Sequence, residues 1–273
     1  MRMLLTNDDG VGAPGLRTLA KCLASAGHEV IVIAPDRERS GVSRCHAVRQ
    51  ELDLVRIEKE NPYETWTLEG GTPVDCVMAA VAAFDGLELV IAGINRGPNL
   101  GRNIFYSGTV AAAAESVWRG LPAIAVSCAA ISADRWWFET AAEVVKRLVA
   151  EGLPGRLNQE LLLNVNVPNV PVAEIQGWVV SPPDRALHNW EKYRLEGDGL
   201  ARYHLRPDGV VVNSRAAAGT DADAVQRRLV AVTPLGADLR ARQVRRLVLS
   251  EWGTGGAPEI WPTVARQRSA SAS

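Results

Sequence analysis

Short apolar runs without polar alternation recur along the first 170 residues: "MRMLLT", "EVIVIAP", "LELVIAGI", "PAIAVSCA" and "LLLNVNVP". A strand with one wet face alternates apolar with polar residues, and a strand covered on both faces does not. Between these runs lie stretches of helical period. "PGLRTLAKCLASAG" sets Leu16, Leu19, Ala20, Leu23 and Ala24 on one face and stops at Gly27. "TPVDCVMAAVAAF" opens with Thr72 as N-cap candidate and Pro73 at the first helical position. "TVAAAAESVWRGL" and "WFETAAEVVKRLVAEG" continue the alternation. Doubly buried strands alternating with helices predict an α/β fold, a Rossmann-like doubly wound and mostly parallel sheet over residues 1–170. Ligands of such sheets bind beyond the carboxyl ends of the strands.

The pattern changes after Pro171. "GWVVSPPDR", "ARYHLRP", "GVVVNSR" and "RRLVAVTPL" read as short strands with turns such as Pro207-Asp208-Gly209, and "TDADAVQRR" as a short capped helix. Residues 171–260 are therefore expected to form a C-terminal extension, a β-hairpin arm used in oligomerisation followed by a return to the core. Residues 261–273, ending "RQRSASAS", are expected to be a disordered tail.

Lysine plus arginine total 30 and aspartate plus glutamate 31, a balance that offers no basic face for a nucleic acid polymer. The four cysteines are scattered without C-x-x-C spacing, so buried free thiols and a reducing cytoplasm are expected. No charged and apolar leader precedes the first strand, and no apolar run reaches the roughly 18 residues of a membrane span.

The loop after the first strand, "TNDDGVGAPG", supports two readings. Gly10, Gly12 and Gly15 match G-x-G-x-x-G, and Asp36 closes the second strand where a ribose-binding acid would sit. A NAD-dependent oxidoreductase would use that pattern. Against it, Asp8 and Asp9 would repel a pyrophosphate, and Pro14 removes a backbone donor. Two adjacent carboxylates instead suit a hard divalent cation such as Mg²⁺, Mn²⁺ or Ca²⁺. Other strand ends offer neutral oxygens, Ser40 in "APDRERSG" and Asn95 in "AGIN". Ser107, Gly108 and Thr109 open a helix whose free N–H groups make an anion site, and Asn99 lies in the loop before it. His46 is the histidine nearest in sequence to these loops and a candidate proton donor.

Taken in order, "TNDDG", "APDRERSG", "GTPVDCV", "AGINRGPNLG", "YSGTVAAAAE", "LPAIAVS", "NVNVP" and "VAVTPL" resemble the successive motifs of the SurE family, the survival-protein nucleotidases, over about residues 3–235. The resemblance implies a divalent-metal-dependent phosphomonoesterase acting on nucleoside 5′- and 3′-monophosphates, with some members also cleaving polyphosphate ends. It implies one Mg²⁺ or Mn²⁺ per subunit held by Asp8, Asp9, Ser40 and Asn95, with Asp8 and Asp9 catalytic. Phosphate contacts fall on Asn99, Ser107, Gly108 and Thr109. An exchanged arm implies a homodimer or homotetramer. The sequence departs from the common pattern at Ala92, at Arg102 and Asn103, and in "SGVSRCHAV", changes that bear on substrate and metal preference. A non-catalytic nucleotide-binding protein is the other alternative to the enzyme.

Overall fold

The computed structural model describes residues 1–57, 62–130, 133–152, 161–186, 189–197, 203–212 and 215–237. The expected tail, 261–273, and residues 238–260 of the expected extension lie outside the described residues.

The apolar runs become the strands β1 (Arg2–Thr6), β2 (Glu29–Pro35), β5 (Leu89–Arg96), β6 (Ala123–Ala129) and β7 (Leu161–Pro168). Two shorter strands, β3 (Leu54–Ile57) and β4 (Glu64–Leu68), lie between β2 and β5. Beyond residue 171, β8 (Trp178–Val180) and β11 (Val230–Gly236) join the same sheet, and β9 (Asn189–Gly197) pairs with β10 (Tyr203–Val212) as a separate antiparallel hairpin. The nine-stranded sheet runs β3-β4-β2-β1-β5-β6-β7-β11-β8. It is parallel except at β3/β4 and β7/β11. Pro207-Asp208-Gly209 does not turn the chain. β10 runs through it with one extra residue against β9, a bulge between Pro207 and Val210 that absorbs the proline's missing donor.

Among the described residues, two long helices cover each face of the central strands. α1 (Pro14–Ser25) and α4 (Phe138–Ala150) cover Met3, Leu5, Val32, Ile91 and Val126. α2 (Pro73–Ala83) and α3 (Gly108–Trp118) cover Leu4, Ile31, Val90 and Ala125. Alternate residues of one strand thus enter opposite cores, which is why the strands read as unbroken apolar runs. Thr72 caps α2 in a capping box with Asp75, behind Pro73 at the first turn. Ser107 caps α3 by accepting from the Val110 N–H. Thr220 caps the short α5 (Asp221–Gln226). Cys76 and Cys128 are buried free thiols, and burial pushes Cys128 up to about 12, but Cys22 is only half-buried on α1 and Cys45 is exposed in the loop after β2, against the expectation of burial. No described helix is long and apolar enough to cross a membrane.

From β1 the chain steps outward to β2 and β4, then returns to the other side of β1 for β5, β6 and β7. The carboxyl ends of β1 and β5 therefore flank the point where the winding reverses, and the loops that leave them part to form a crevice. The glycines of the first loop serve this geometry. Gly10 has φ +93°, and a Cβ there would lie 3.1 Å from the Arg37 backbone. A Cβ on Gly15 would run into the Ile94 carbonyl, so Gly15 lets α1 lie directly on β5. Gly12 has only the tip of Arg17 nearby, at 3.8 Å. Gly15→Ala should therefore destabilise the chain by about 1–3 kcal/mol, the usual cost of overpacking. Gly12→Ala should be near neutral in the same thermal denaturation. Equal effects would contradict a steric role for Gly15.

Candidate active site

A cavity of about 260 Å³ opens at the switch point, lined by Asp8, Ser40, Asn95, Asn99, Tyr106 and Ser107 among others. These residues come from four chain segments. Asp8 and Asp9 follow β1, Ser40 follows β2, Asn95 ends β5, and Asn99 to Ser107 lead from β5 into α3.

The first loop is closed by its own bonds. Asn7 Nδ2 donates to the Gly10 carbonyl at 2.9 Å, Val11 N–H to Pro35 at 2.9 Å, and Ala13 N–H to Gly10 at 3.0 Å. The Val11 and Ala13 amides are thus committed within the fold, and Pro14 has none to offer. Asp36 is also engaged, with Arg39 at 3.6 Å and the Gly70 N–H at 3.2 Å. A pyrophosphate would find few free donors here, and the ribose-binding acid is already paired.

Asp8 is 4 % exposed and lies against the start of α3. Thr109 Oγ1 donates to its Oδ1 at 2.5 Å. A Cβ on Gly108 would come within 3.0 Å of Asp8 Oδ2, so glycine is what allows the helix to seat on the carboxylate. Burial raises the Asp8 pKa, while the Thr109 hydroxyl and the amides of Thr109 and Gly108 oppose that rise. Asp9 accepts from the Arg96 N–H at 3.1 Å. Burial and then the Asp8 charge push Asp9 up to about 6. Neither carboxylate forms an ion pair with a described residue.

The neutral oxygens are arranged by short-range bonds. Ser40 Oγ donates to Glu38 at 2.9 Å, which leaves its lone pairs available. Asn95 Nδ2 donates to the Gly97 carbonyl at 2.9 Å, which leaves Oδ1 as the free oxygen. Among the described residues no three histidine, cysteine or acidic side chains converge as a metal cluster. Asp8, the Ser40 hydroxyl and the Asn95 amide line one cavity, while Asp9, next in the chain, is not among its lining residues; carboxylate, hydroxyl and amide oxygens suit a hard cation rather than zinc. Gly108 and Thr109 stand behind Asp8 and not on the cavity wall, whereas Asn99 and Ser107 are on it. His46 is exposed and is not among the lining residues.

A second set of residues holds the loop that carries Asn99. Asn166 Oδ1 accepts from the Asn99 N–H at 2.9 Å, while Asn164 and Asn166 both donate to its carbonyl, at 2.8 and 3.1 Å. The Asn99 side chain donates to Ser127 Oγ at 2.9 Å. Two residues on, the Gly101 N–H donates to Asp221 at 2.9 Å, and Asp221 also accepts from the Asp184 N–H at 2.9 Å. Sequence reasoning missed Asn164, Asn166, Asp184 and Asp221 as supports of the site. "NVN" inside an apolar buried strand was the available signal, since buried amides must find partners.

The comparisons with known proteins bear on this geometry. The family model "Survival protein SurE" matches residues 3–189. The chain is 41 % identical over 264 residues to "5'-nucleotidase SurE" of Thermosynechococcus vestitus, covering 92 % of this chain and 96 % of that protein. The chain belongs to the SurE family. It is also 40 % identical to the 5'-nucleotidase SurE of Stenotrophomonas maltophilia, covering 92 % and 95 % of the two chains. The SurE crystal structure from Aquifex aeolicus superposes with TM-score 0.77 at 33 % identity, covering 92 % of this chain and 99 % of that one. The α/β fold of this SurE chain, a mostly parallel sheet flanked by helices, matches that structure.

The raised Asp9 pKa has a signed consequence for stability. A carboxyl raised in the folded state stabilises the fold below about pH 4, and that contribution is lost as pH rises through about 6. In metal-free buffer, Asp9→Asn should therefore be more stable than the unsubstituted chain at pH 8, by on the order of 2 kcal/mol. The difference should vanish at pH 4. A pH-independent difference in denaturant melts would contradict this origin.

Proposed function

We propose that this SurE chain is a 5′-nucleotidase that hydrolyses nucleoside monophosphates to nucleoside and phosphate, with one divalent cation, Mg²⁺ or Mn²⁺, per subunit. The observation that carries the proposal is the buried carboxylate of Asp8, which forms no ion pair with a described residue, at the wall of a cavity that also meets a helix N-terminus, with the half-buried Asp9 next to it in the chain. Asp8, Asp9, Ser40 and Asn95 would hold the cation. When bound, it supplies charge neutralisation to the phosphate and lowers the pKa of water.

The chain's own groups do the rest. Ser107 accepts the Val110 N–H through Oγ at 3.1 Å, so its hydroxyl proton is available to a phosphate oxygen. Asn99 keeps a second amide proton for the same purpose, on a loop fixed by Asn164 and Asn166. Gly108 and Thr109 contribute through Asp8, with the α3 N-terminus directed at negative charge. We assign Asp8 to deprotonating the attacking water. The water oxygen bonds to phosphorus, the phosphorus–ester oxygen bond breaks, and the alkoxide leaves with a proton from solvent. Burial raises the Asp8 pKa, and a raised pKa suits a base better than a nucleophile. A trapped aspartyl-phosphate would contradict this role.

Nucleoside 3′-monophosphates and polyphosphate ends present the same terminal phosphate, and we include them as substrates. We place the enzyme in the cytoplasm, on the strength of its free thiols. We assign the segment from residue 171 to assembly. An isolated two-stranded hairpin is marginal alone, and β9–β10 pairs with no other strand of the described residues, which supports its exchange in a homodimer or homotetramer.

Phosphate release from 5′-AMP, 3′-AMP and polyphosphate by EDTA-stripped protein tests the reading. Activity should return with Mg²⁺ or Mn²⁺ and fall about 10²–10⁴-fold in Asp8→Asn. Nucleotide binding without release under any metal would leave a non-catalytic binder instead. Light scattering on the same sample should give a dimer or tetramer, and a clean monomer would contradict arm exchange.

A further inference from the structure

The phosphate end of the cavity is polar and largely buried, and its rim carries an aromatic residue to which no role has yet been given. Tyr106 lines the cavity directly before the helix-capping Ser107, and it remains 59 % exposed. Its backbone is not free to move aside. The Ser43 N–H donates to the Tyr106 carbonyl at 3.1 Å, and Ser43 Oγ donates to the Phe105 carbonyl at 2.7 Å. The loop after β2 thus pins the 3₁₀ turn Gly101–Tyr106 from outside. An exposed phenol ring on a pinned backbone at a cavity mouth forgoes burial that a tyrosine ordinarily finds.

Phe105, next to Tyr106 in the chain, is 76 % exposed but is not among the residues that line the cavity, and three tryptophans already carry a ring or a guanidinium on a face. Trp136 stacks on Phe138 at 5.9 Å and carries the Arg96 guanidinium at 5.2 Å. Trp118 carries Arg44 at 4.1 Å and donates its indole N–H to the Ala237 carbonyl. Trp137 carries Arg135 at 3.7 Å. Tyr106 has no ring or cation on its face among the described residues, and it is the aromatic residue among those that line the cavity. A nucleoside monophosphate whose phosphate sits at Asp8 and Ser107 would bring its base towards the cavity mouth, where the Tyr106 ring is exposed.

We infer that Tyr106 is the stacking platform for the nucleobase and determines the preference of the site for nucleotides over sugar phosphates. The inference rests on the nucleotidase reading. Stacking uses a π-face that every base has, so it selects for a base without selecting one base sharply, and purines, with more area, are favoured over pyrimidines.

The test compares kcat/KM for 5′-AMP, 5′-UMP and ribose 5-phosphate in the Mn²⁺-loaded enzyme, in Tyr106→Ala, Tyr106→Phe and Phe105→Ala. Ribose 5-phosphate keeps the phosphate and sugar but lacks the base. Tyr106→Ala should lose roughly tenfold on 5′-AMP, less on 5′-UMP, and nothing on ribose 5-phosphate. Tyr106→Phe should keep the preference, because the ring and not the hydroxyl is used. An equal loss on all three substrates, or a loss of base preference in Phe105→Ala but not in Tyr106→Ala, would overturn the assignment. Release of phosphate from none of them by the unsubstituted enzyme would instead overturn the nucleotidase reading.

Discussion

The seating of Asp8 on the N-terminus of α3 is the contact around which the site is built. A carboxylate almost fully removed from water is costly unless its charge is met. Here the protein meets it only with dipoles, the Thr109 hydroxyl and the amides of the first helical turn, and it places a second carboxylate, Asp9, beside it. Burial raises both pKa values in the chain alone. A cation or a proton must supply the missing charge, and the neutral oxygens of Ser40 and Asn95 favour the cation. The requirement for glycine at 108 follows from this contact, and Gly15 separately lets α1 lie against the Ile94 carbonyl of β5.

The fold supplies this arrangement through its winding order. Because β1 sits at the reversal between β2 and β5, the loops after all three meet at one crevice. Residues almost ninety positions apart, Asp9 and Arg96, become hydrogen-bonded neighbours. The C-terminal segment then braces the same loop from the far side. Asp221, at the start of α5, holds the Gly101 amide, and the Arg102 N–H donates to the Ala186 carbonyl at 3.0 Å. Ala186, in the segment ahead of the hairpin β9–β10, is thus hydrogen-bonded to the turn that follows Asn99.

Much of this was legible in the sequence where the cause is local. The caps at Thr72 and Ser107 follow from side-chain oxygens placed before apolar helical patterns. The parallel sheet follows from strands lacking alternation. The dinucleotide pattern misleads because its glycines meet a steric need at Gly10 and Gly15 that is independent of the ligand. Long-range partners were not legible. "NVN" announces buried amides but not that Asn164 and Asn166 clamp the Asn99 peptide. Pro207-Asp208-Gly209 has the composition of a turn, yet β9 and β10 pair across it as a bulge. Nothing near Asp221 in sequence indicates that it supports a loop 120 residues away.

The central claim is that the paired carboxylates exist to hold a divalent cation. Electron paramagnetic resonance of Mn²⁺ titrated into EDTA-stripped protein tests it without reference to turnover. One bound Mn²⁺ per chain is expected, displaced by excess Mg²⁺ and lost in Asp8→Asn. Unaltered binding in that variant, or no bound Mn²⁺ in the folded chain, would contradict the account.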